Sequence, residues 1–207
     1  MSETPLLWYL NRSTGITLLV ALSLSVALGV LGLRGRAAGD GGGRIPRFVT
    51  QALHRNLALG ALALLLAHAA TAVADTYVDI RWWHALVPWG GSYQPVALAL
   101  GTLGLDLMVA VAVTTAFRSR LGHRAWKVVH LAAWPAWLAG VAHGVLIGTD
   151  LDSFQAAPPW ALAPVIAGVG IVVLAAAYRV LARPRPARGA GGAAHSEVGL
   201  HDVAGLR

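Results

Sequence analysis

The chain contains no cysteine among its 207 residues. Disulfide bonds, iron–sulfur clusters, c-type haem attachment and thiol catalysis are therefore excluded. Charged residues are also scarce, at 12% of the chain, whereas 57% of the residues are hydrophobic. This imbalance is typical of a polytopic membrane protein and not of a soluble domain with a large core.

Five long apolar stretches predict an all-α membrane bundle of five transmembrane helices, with six as the alternative, because about 20 apolar residues cross a bilayer. The stretches cover residues 13–33, 48–74, 96–117, 128–147 and 160–182. They define one membrane domain over residues 13–182, preceded by a polar lead, 1–12, and followed by a tail, 183–207, that we expect to be disordered.

The net charge of +7 does not indicate a nucleic-acid partner, because the basic residues lie at the ends of the apolar stretches. Every Lys and Arg except Arg12 and Arg81 falls on the side that holds the loops after the first and third spans and the tail. The positive-inside rule then predicts a cytoplasmic-membrane protein with its N-terminus outside and its C-terminus in the cytoplasm.

Four histidines lie inside two of the predicted spans. His54 and His68 are fourteen residues apart on the second span, and His130 and His143 are thirteen apart on the fourth. These two spans are separated by one other, so they run in the same direction. His54 and His130 are then expected near the cytoplasmic side and His68 and His143 nearer the outer side, with the two levels roughly 20 Å apart.

Two haems stacked at that separation explain the four histidines, each iron being held by one imidazole from each span. The predicted pairs are His54 with His130 and His68 with His143. For each histidine alone, the simpler interpretation is a polar residue satisfied by a neighbouring helix. His84, His123, His195 and His201 lie in loops or the tail and are expected to be solvated.

The helical repeat places the two histidines of the second span on nearly the same face, but not those of the fourth span. Fourteen residues return a side chain to within roughly 40° of its starting direction, whereas thirteen place it roughly 140° away. The fourth span must therefore be distorted, or its histidines must use different rotamers. Pro135 lies between them and removes one helical hydrogen bond, which gives a distortion its cause.

Three further residues are candidates for the site. Arg12 is the best candidate to pair with a haem propionate, because it stands on a side nearly free of other cations. Trp137 lies between the two histidine levels and either packs between porphyrins or fills the core. Asp106 is the one acidic residue inside a predicted span, and it is either a proton-relay or quinone-site group or a structural hydrogen-bond partner.

The histidine spacing, with the strings "WYLNRSTGITLLV", "LGHRAWKVVH" and "AHGVLIGTD", resembles the ferric reductase-like transmembrane domain family over about residues 7–180. The resemblance implies two b-type haems, bis-histidine ligation by His54, His68, His130 and His143, and electron transfer across the membrane. The acceptor outside would be ferric iron, oxygen or an extracytoplasmic redox partner protein.

The chain departs from the longer members of that family, which carry a flavin and nicotinamide domain after the last helix. No strand–GxGxxG–helix unit is present, so no flavin or nicotinamide site is expected here, and the electrons must come from quinol or a separate flavoprotein. Whether the chain is an enzyme by itself stays open. The alternative from another class is a haem-free membrane protein, either a metal-binding transporter or an assembly or anchor subunit.

Overall fold

The computed structural model describes residues 6–32, 46–76, 78–148 and 157–181. Within these ranges the protein is helical, apart from connecting loops. The expected disordered tail lies outside the described residues. The helices are α1 Leu6–Gly32, α2 Arg47–Ala74, α3 Pro95–Ala116, α4 His123–Leu131, α5 Ala133–Ile147 and α6 Pro159–Leu181, with a short 3-10 helix at Trp82–Ala85 between α2 and α3.

The predicted all-α membrane bundle is confirmed. Over the described ranges, five helical stretches are long and apolar enough to cross a bilayer, and α4 and α5 together form the fourth, His123–Ile147. Large apolar side chains such as Leu59, Ile166 and Leu174 are more than half exposed. Such a surface suits hydrocarbon and not water, so the protein is a multi-pass membrane protein.

Two helix starts differ from the expected ones. The first helix begins at Leu6 and not at residue 13, so most of the expected polar lead is helical. Asn11 is accommodated there because its side-chain amide donates to the carbonyl of His68 at 2.9 Å. Helix α4 begins at His123, inside the expected basic loop.

Helix α1 is the centre of the bundle. It packs along α2 and α6 and also contacts α5, whereas α3 packs mainly on α5. Its buried face is rich in Ala and Ser, including Ala21, Ser23 and Ala27. Small side chains let helices approach closely in a membrane. At Gly168 of α6, for example, an added Cβ would lie 2.7 Å from the Ser23 hydroxyl.

The fourth span is interrupted at Ala132, which is the distortion that one of the two explanations of the histidine spacing predicted. Ala132 ends α4 and precedes α5, and its N–H bonds back three residues to Val129 at 2.9 Å. Pro135 has no N–H to donate to the carbonyl of Leu131, four residues earlier, so one helical hydrogen bond is missing at this turn.

The packing of α1 on α6 gives a stability prediction. Gly168→Ala should lower the free energy of unfolding by about 1–3 kcal/mol, because the new methyl group overpacks the buried Ser23. Gly170→Ala, two residues away on the same helix, is the control, since nothing lies within 4 Å of its added Cβ. Denaturant unfolding in detergent micelles measures both, and equal stability of the two variants would contradict the packing.

Candidate haem-binding site

The structure brings the four intramembrane histidines together in the two predicted pairs. The ring centres of His54 and His130 are 6.2 Å apart with the ring planes at 74°. The ring centres of His68 and His143 are also 6.2 Å apart, with the planes at 83°. Since the pairs follow the same order along both spans, α2 runs parallel to α4 and α5.

The ring-centre separation within each pair is compatible with two imidazoles that bind a single metal ion. A metal–imidazole bond is about 2.0 Å, and the bonding nitrogen lies roughly 1 Å from its ring centre, so two opposed imidazoles have centres about 6 Å apart. Both pairs meet this condition. Helices α2 and α5 make little direct contact with each other. Helix α2 packs mainly on α1, and α5 packs mainly on α3.

Three of the four imidazoles are held by a backbone carbonyl of a neighbouring helix. His54 Nδ1 lies 2.9 Å from the carbonyl oxygen of Ser25, His68 Nδ1 lies 3.0 Å from that of Asn11, and His143 Nδ1 lies 2.7 Å from that of Ala97. A carbonyl oxygen only accepts, so Nδ1 must carry the proton. The Nε2 lone pair of each ring is therefore left for a metal.

His130 is held differently. Its Nδ1 is buried and has no hydrogen-bond partner among the described residues. The ring instead stacks on Trp126, one turn earlier on α4, with ring centres 5.0 Å apart and planes at 26°. The Trp126 indole is anchored in turn, because its N–H donates to the Thr115 hydroxyl of α3 at 3.3 Å.

A buried apolar cluster separates the two histidine levels, and Trp137 is its largest member. The indole is 5% exposed and packs with Leu22, Ala61 and Leu65 among others. Its N–H donates to the Ser23 hydroxyl at 2.9 Å, which fixes α5 against α1. Trp137 therefore fills the core between the two histidine levels. Its placement between two porphyrins stays a prediction.

Small residues leave space beside the histidines. An added Cβ at Gly60, Gly140 or Gly144 would meet nothing within 4 Å. Gly60 lies on α2 between its two histidines, and Gly140 and Gly144 lie within one turn of His143 on α5. Open space at backbone level suits a flat macrocycle that must approach closely.

Arg12 lies at the same end of the bundle as the His68–His143 pair, directly after Asn11. Its guanidinium carbon is 5.3 Å from the ring centre of Trp8 and 5.1 Å from that of Trp160. Two aromatic faces therefore hold the cation between α1 and α6. Its role toward a propionate stays a prediction.

Asp106 is half-buried near the middle of α3. Within the described ranges no hydrogen bond to its carboxyl group is present. The interpretation of Asp106 as a structural hydrogen-bond partner between helices therefore has no support in the described contacts. The relay or quinone-site interpretation stays a prediction.

The expectation that His84 is solvated is wrong, because this residue is only 4% exposed. It lies in the 3-10 helix, where its Nδ1 accepts the Arg81 backbone N–H at 3.1 Å and its carbonyl accepts the Thr102 hydroxyl of α3. His84 thereby fastens the loop to α3. His123 is exposed as expected, and His195 and His201 lie outside the described residues.

Sequence reasoning missed three glycines that contact the imidazoles. A Cβ would lie 2.9 Å from His68 Cε1 at Gly15, 3.4 Å from His54 Cε1 at Gly29, and 2.7 Å from His143 Nδ1 at Gly101. One signal could have found two of them. Gly15 and Gly29 are fourteen residues apart, as are His54 and His68, and two antiparallel neighbours with equal spacings can meet at both positions.

No group of three or more His, Cys, Asp or Glu able to hold a metal ion occurs in the described part of the chain. Two protein ligands per level are too few for a tetrahedral structural site, whereas a porphyrin supplies four further nitrogens. Comparisons with protein-family models, with curated proteins and with solved structures find no match to this chain.

The carbonyl contacts predict the tautomers of the histidines in haem-free protein. His54, His68 and His143 should carry their proton on Nδ1, whereas His84 should carry it on Nε2, because its Nδ1 accepts a hydrogen bond. Nitrogen-15 NMR of histidine-labelled protein distinguishes the two forms. His84→Gln assigns the control signal, and an Nε2 proton on the three site histidines would contradict the carbonyl contacts.

Proposed function

We propose that the protein is a two-haem b-type membrane cytochrome of the ferric reductase-like kind, which passes electrons across the cytoplasmic membrane. The observation that carries the proposal is the pair of 6.2 Å separations between histidine rings from two parallel spans. One coincidence at that distance could be packing, but the same distance occurs at both levels.

The residues present fit a haem at each level. His54 and His130 would hold one iron, and His68 and His143 the other. Three of the imidazoles keep Nε2 free for metal because their Nδ1–H donates a hydrogen bond to a backbone carbonyl. Bis-imidazole haem supplies one-electron transfer and has no open coordination position for a substrate. An added Cβ at Gly60, Gly140 or Gly144 would meet nothing within 4 Å, which leaves open space beside the histidines.

The protein's own residues would fix and insulate the two sites. The cluster around Trp137 excludes water between the levels, since its members are buried. The Trp137–Ser23 hydrogen bond and the packing of α1 on α2 hold the spans at a fixed separation. Arg12, kept by two tryptophans at the end of α1, would neutralise a propionate of the nearer haem.

The proposal also includes the direction of electron transfer and the donor and acceptor. The distribution of Lys and Arg favours an N-terminus outside the cell, which places the His54–His130 pair toward the cytoplasm. Electrons would enter there from quinol or a separate flavoprotein. They would leave beside the His68–His143 pair, to ferric iron, oxygen or a redox partner protein.

Histidine substitutions test the ligand assignment. His54→Ala and His130→Ala should each remove the same low-spin haem signal, and His68→Ala and His143→Ala should each remove the other, because a haem that loses one of its two imidazoles is either released or left five-coordinate and high-spin. The pyridine haemochrome assay and reduced-minus-oxidised spectra of the purified protein measure the loss, with His84→Gln and His123→Gln as controls that keep both haems. Wild-type protein with no haem, or losses paired otherwise, would overturn the proposal.

Glycine substitutions test the presence of a macrocycle at the expected face. Gly140→Leu and Gly144→Leu should reduce haem content while leaving the unfolding midpoint of haem-free protein nearly unchanged, because an added Cβ at either position meets nothing within 4 Å in the protein alone. The matched control is Gly170→Leu on α6, which also meets open space and lies away from the histidines. Full haem content in both α5 variants would argue against a porphyrin beside α5.

A further inference from the structure

Three of the four imidazoles occupy the same kind of seat, defined as a helix carbonyl at one position and a glycine four residues later. The carbonyl accepts the Nδ1 proton and the glycine lies against the ring edge. The three seats are Asn11 and Gly15 for His68, Ser25 and Gly29 for His54, and Ala97 and Gly101 for His143. The repetition spans two different neighbouring helices, α1 and α3.

The four-residue offset has a physical reason. A helix carbonyl already accepts the N–H four residues later and has one lone pair left for a second donor. Side chains in a helix lean toward its N-terminus, so a residue covers the surface one turn before it. A side chain four residues later would therefore cover the carbonyl. Glycine uncovers it, which explains why a Cβ at Gly101 would be 2.7 Å from the His143 ring.

The two histidine pairs differ in how many seats they have. In the His68–His143 pair, both rings are seated. In the His54–His130 pair, only His54 is seated, because His130 Nδ1 has no hydrogen-bond partner among the described residues and its ring is held by stacking on Trp126. Stacking fixes the plane of the ring but leaves its tautomer and its rotation in that plane unfixed.

A hydrogen bond from Nδ1 to a carbonyl orients a metal-binding histidine and raises the basicity of its other nitrogen, and losing such a partner typically costs about 10- to 100-fold in metal affinity. We propose that the two sites hold their haems unequally. The His68–His143 site is the firm one, and the His54–His130 site exchanges its haem through His130, with Gly15, Gly29 and Gly101 as positioning residues. This inference rests on the proposed function.

Haem release to excess apomyoglobin from the detergent-purified protein tests the inequality. Wild-type protein should lose its haems in two phases of equal amplitude, with rates about 10- to 100-fold apart. His68→Ala, which keeps only the His54–His130 site, should show the fast phase alone. His130→Ala, which keeps only the other site, should show the slow phase alone.

Glycine substitutions then test the seats. Gly101→Ala should accelerate the slow phase by about 10- to 100-fold and leave the fast phase unchanged. Gly15→Ala acts on the same site through His68 instead of His143, and its contact with the ring is less tight. It replaces Gly101→Ala in the test if that variant does not fold. At Gly29 an added Cβ would make only ordinary contact with His54, at 3.4 Å, so the larger Gly29→Val is the test there, and it should accelerate the fast phase only.

A control variant separates a seat from the general effect of adding a methyl group to a helix. Gly170→Ala places its Cβ where nothing lies within 4 Å, so it should change neither phase. In Gly101→Ala the reduction midpoint of the slowly released haem should also rise, because a less basic imidazole stabilises ferric iron less, whereas Gly170→Ala should leave both midpoints in place.

The outcomes are distinguishable from failure of the proposed function. Two haems released in a single phase, or a slow phase that belongs to the His54–His130 site, would overturn the inequality while leaving the two-haem cytochrome standing. Equal acceleration by Gly101→Ala and Gly170→Ala would overturn the role of the seats. Wild-type protein that contains no haem would instead contradict the proposed function itself.

Discussion

The constraint on which this protein depends is that an imidazole N–H buried in a membrane protein needs an acceptor. Water is absent from the bilayer core, and each unsatisfied polar group there costs several kcal/mol. His54, His68 and His143 meet the constraint with backbone carbonyls that already belong to a helix. Because those carbonyls sit on rigid helices, each bond fixes where the opposite nitrogen points.

The central position of α1 follows from this arrangement. Two of the three carbonyl acceptors lie on α1, and so does Ser23, which accepts the Trp137 N–H. One helix therefore sets the position of both α2 histidines and also of the middle of α5. The small residues of α1 are what allow this, since close approach of helices in a membrane requires them. The buried core of the bundle therefore lies between the two histidine levels.

Helix α4 holds its histidine, His130, by a different kind of contact from the other three. The turn at Ala132 separates His130 from His143 and lets both rings face α2, although thirteen residues of regular helix would turn them apart. The same turn places His130 on a short helix that packs against α3 and leaves its Nδ1 without a hydrogen-bond partner among the described residues. Stacking on Trp126 takes the place of the carbonyl, and the two levels are therefore not equivalent.

By itself the sequence determined the membrane class, the five spans and the pairing of His54 with His130 and of His68 with His143. Apolar length and histidine spacing are local properties, and helix geometry converts them directly into position. Pro135 also indicated the break, because a missing N–H is a property of one residue. The early start of α1 was not predicted, since the polar side chain of Asn11 finds its partners, the His68 carbonyl and the Thr71 hydroxyl, on a different helix.

Only the tertiary structure decided which groups face the histidines. The acceptors are backbone carbonyls, which every residue has, so no side chain marks them. Gly15, Gly29 and Gly101 gain meaning only when a neighbouring helix brings a ring to within about one contact distance. The burial of His84 was likewise invisible, because it depends on where the loop meets α3. The spacing of residues along the chain can be read from the sequence, whereas tertiary packing decides which helices lie beside each histidine.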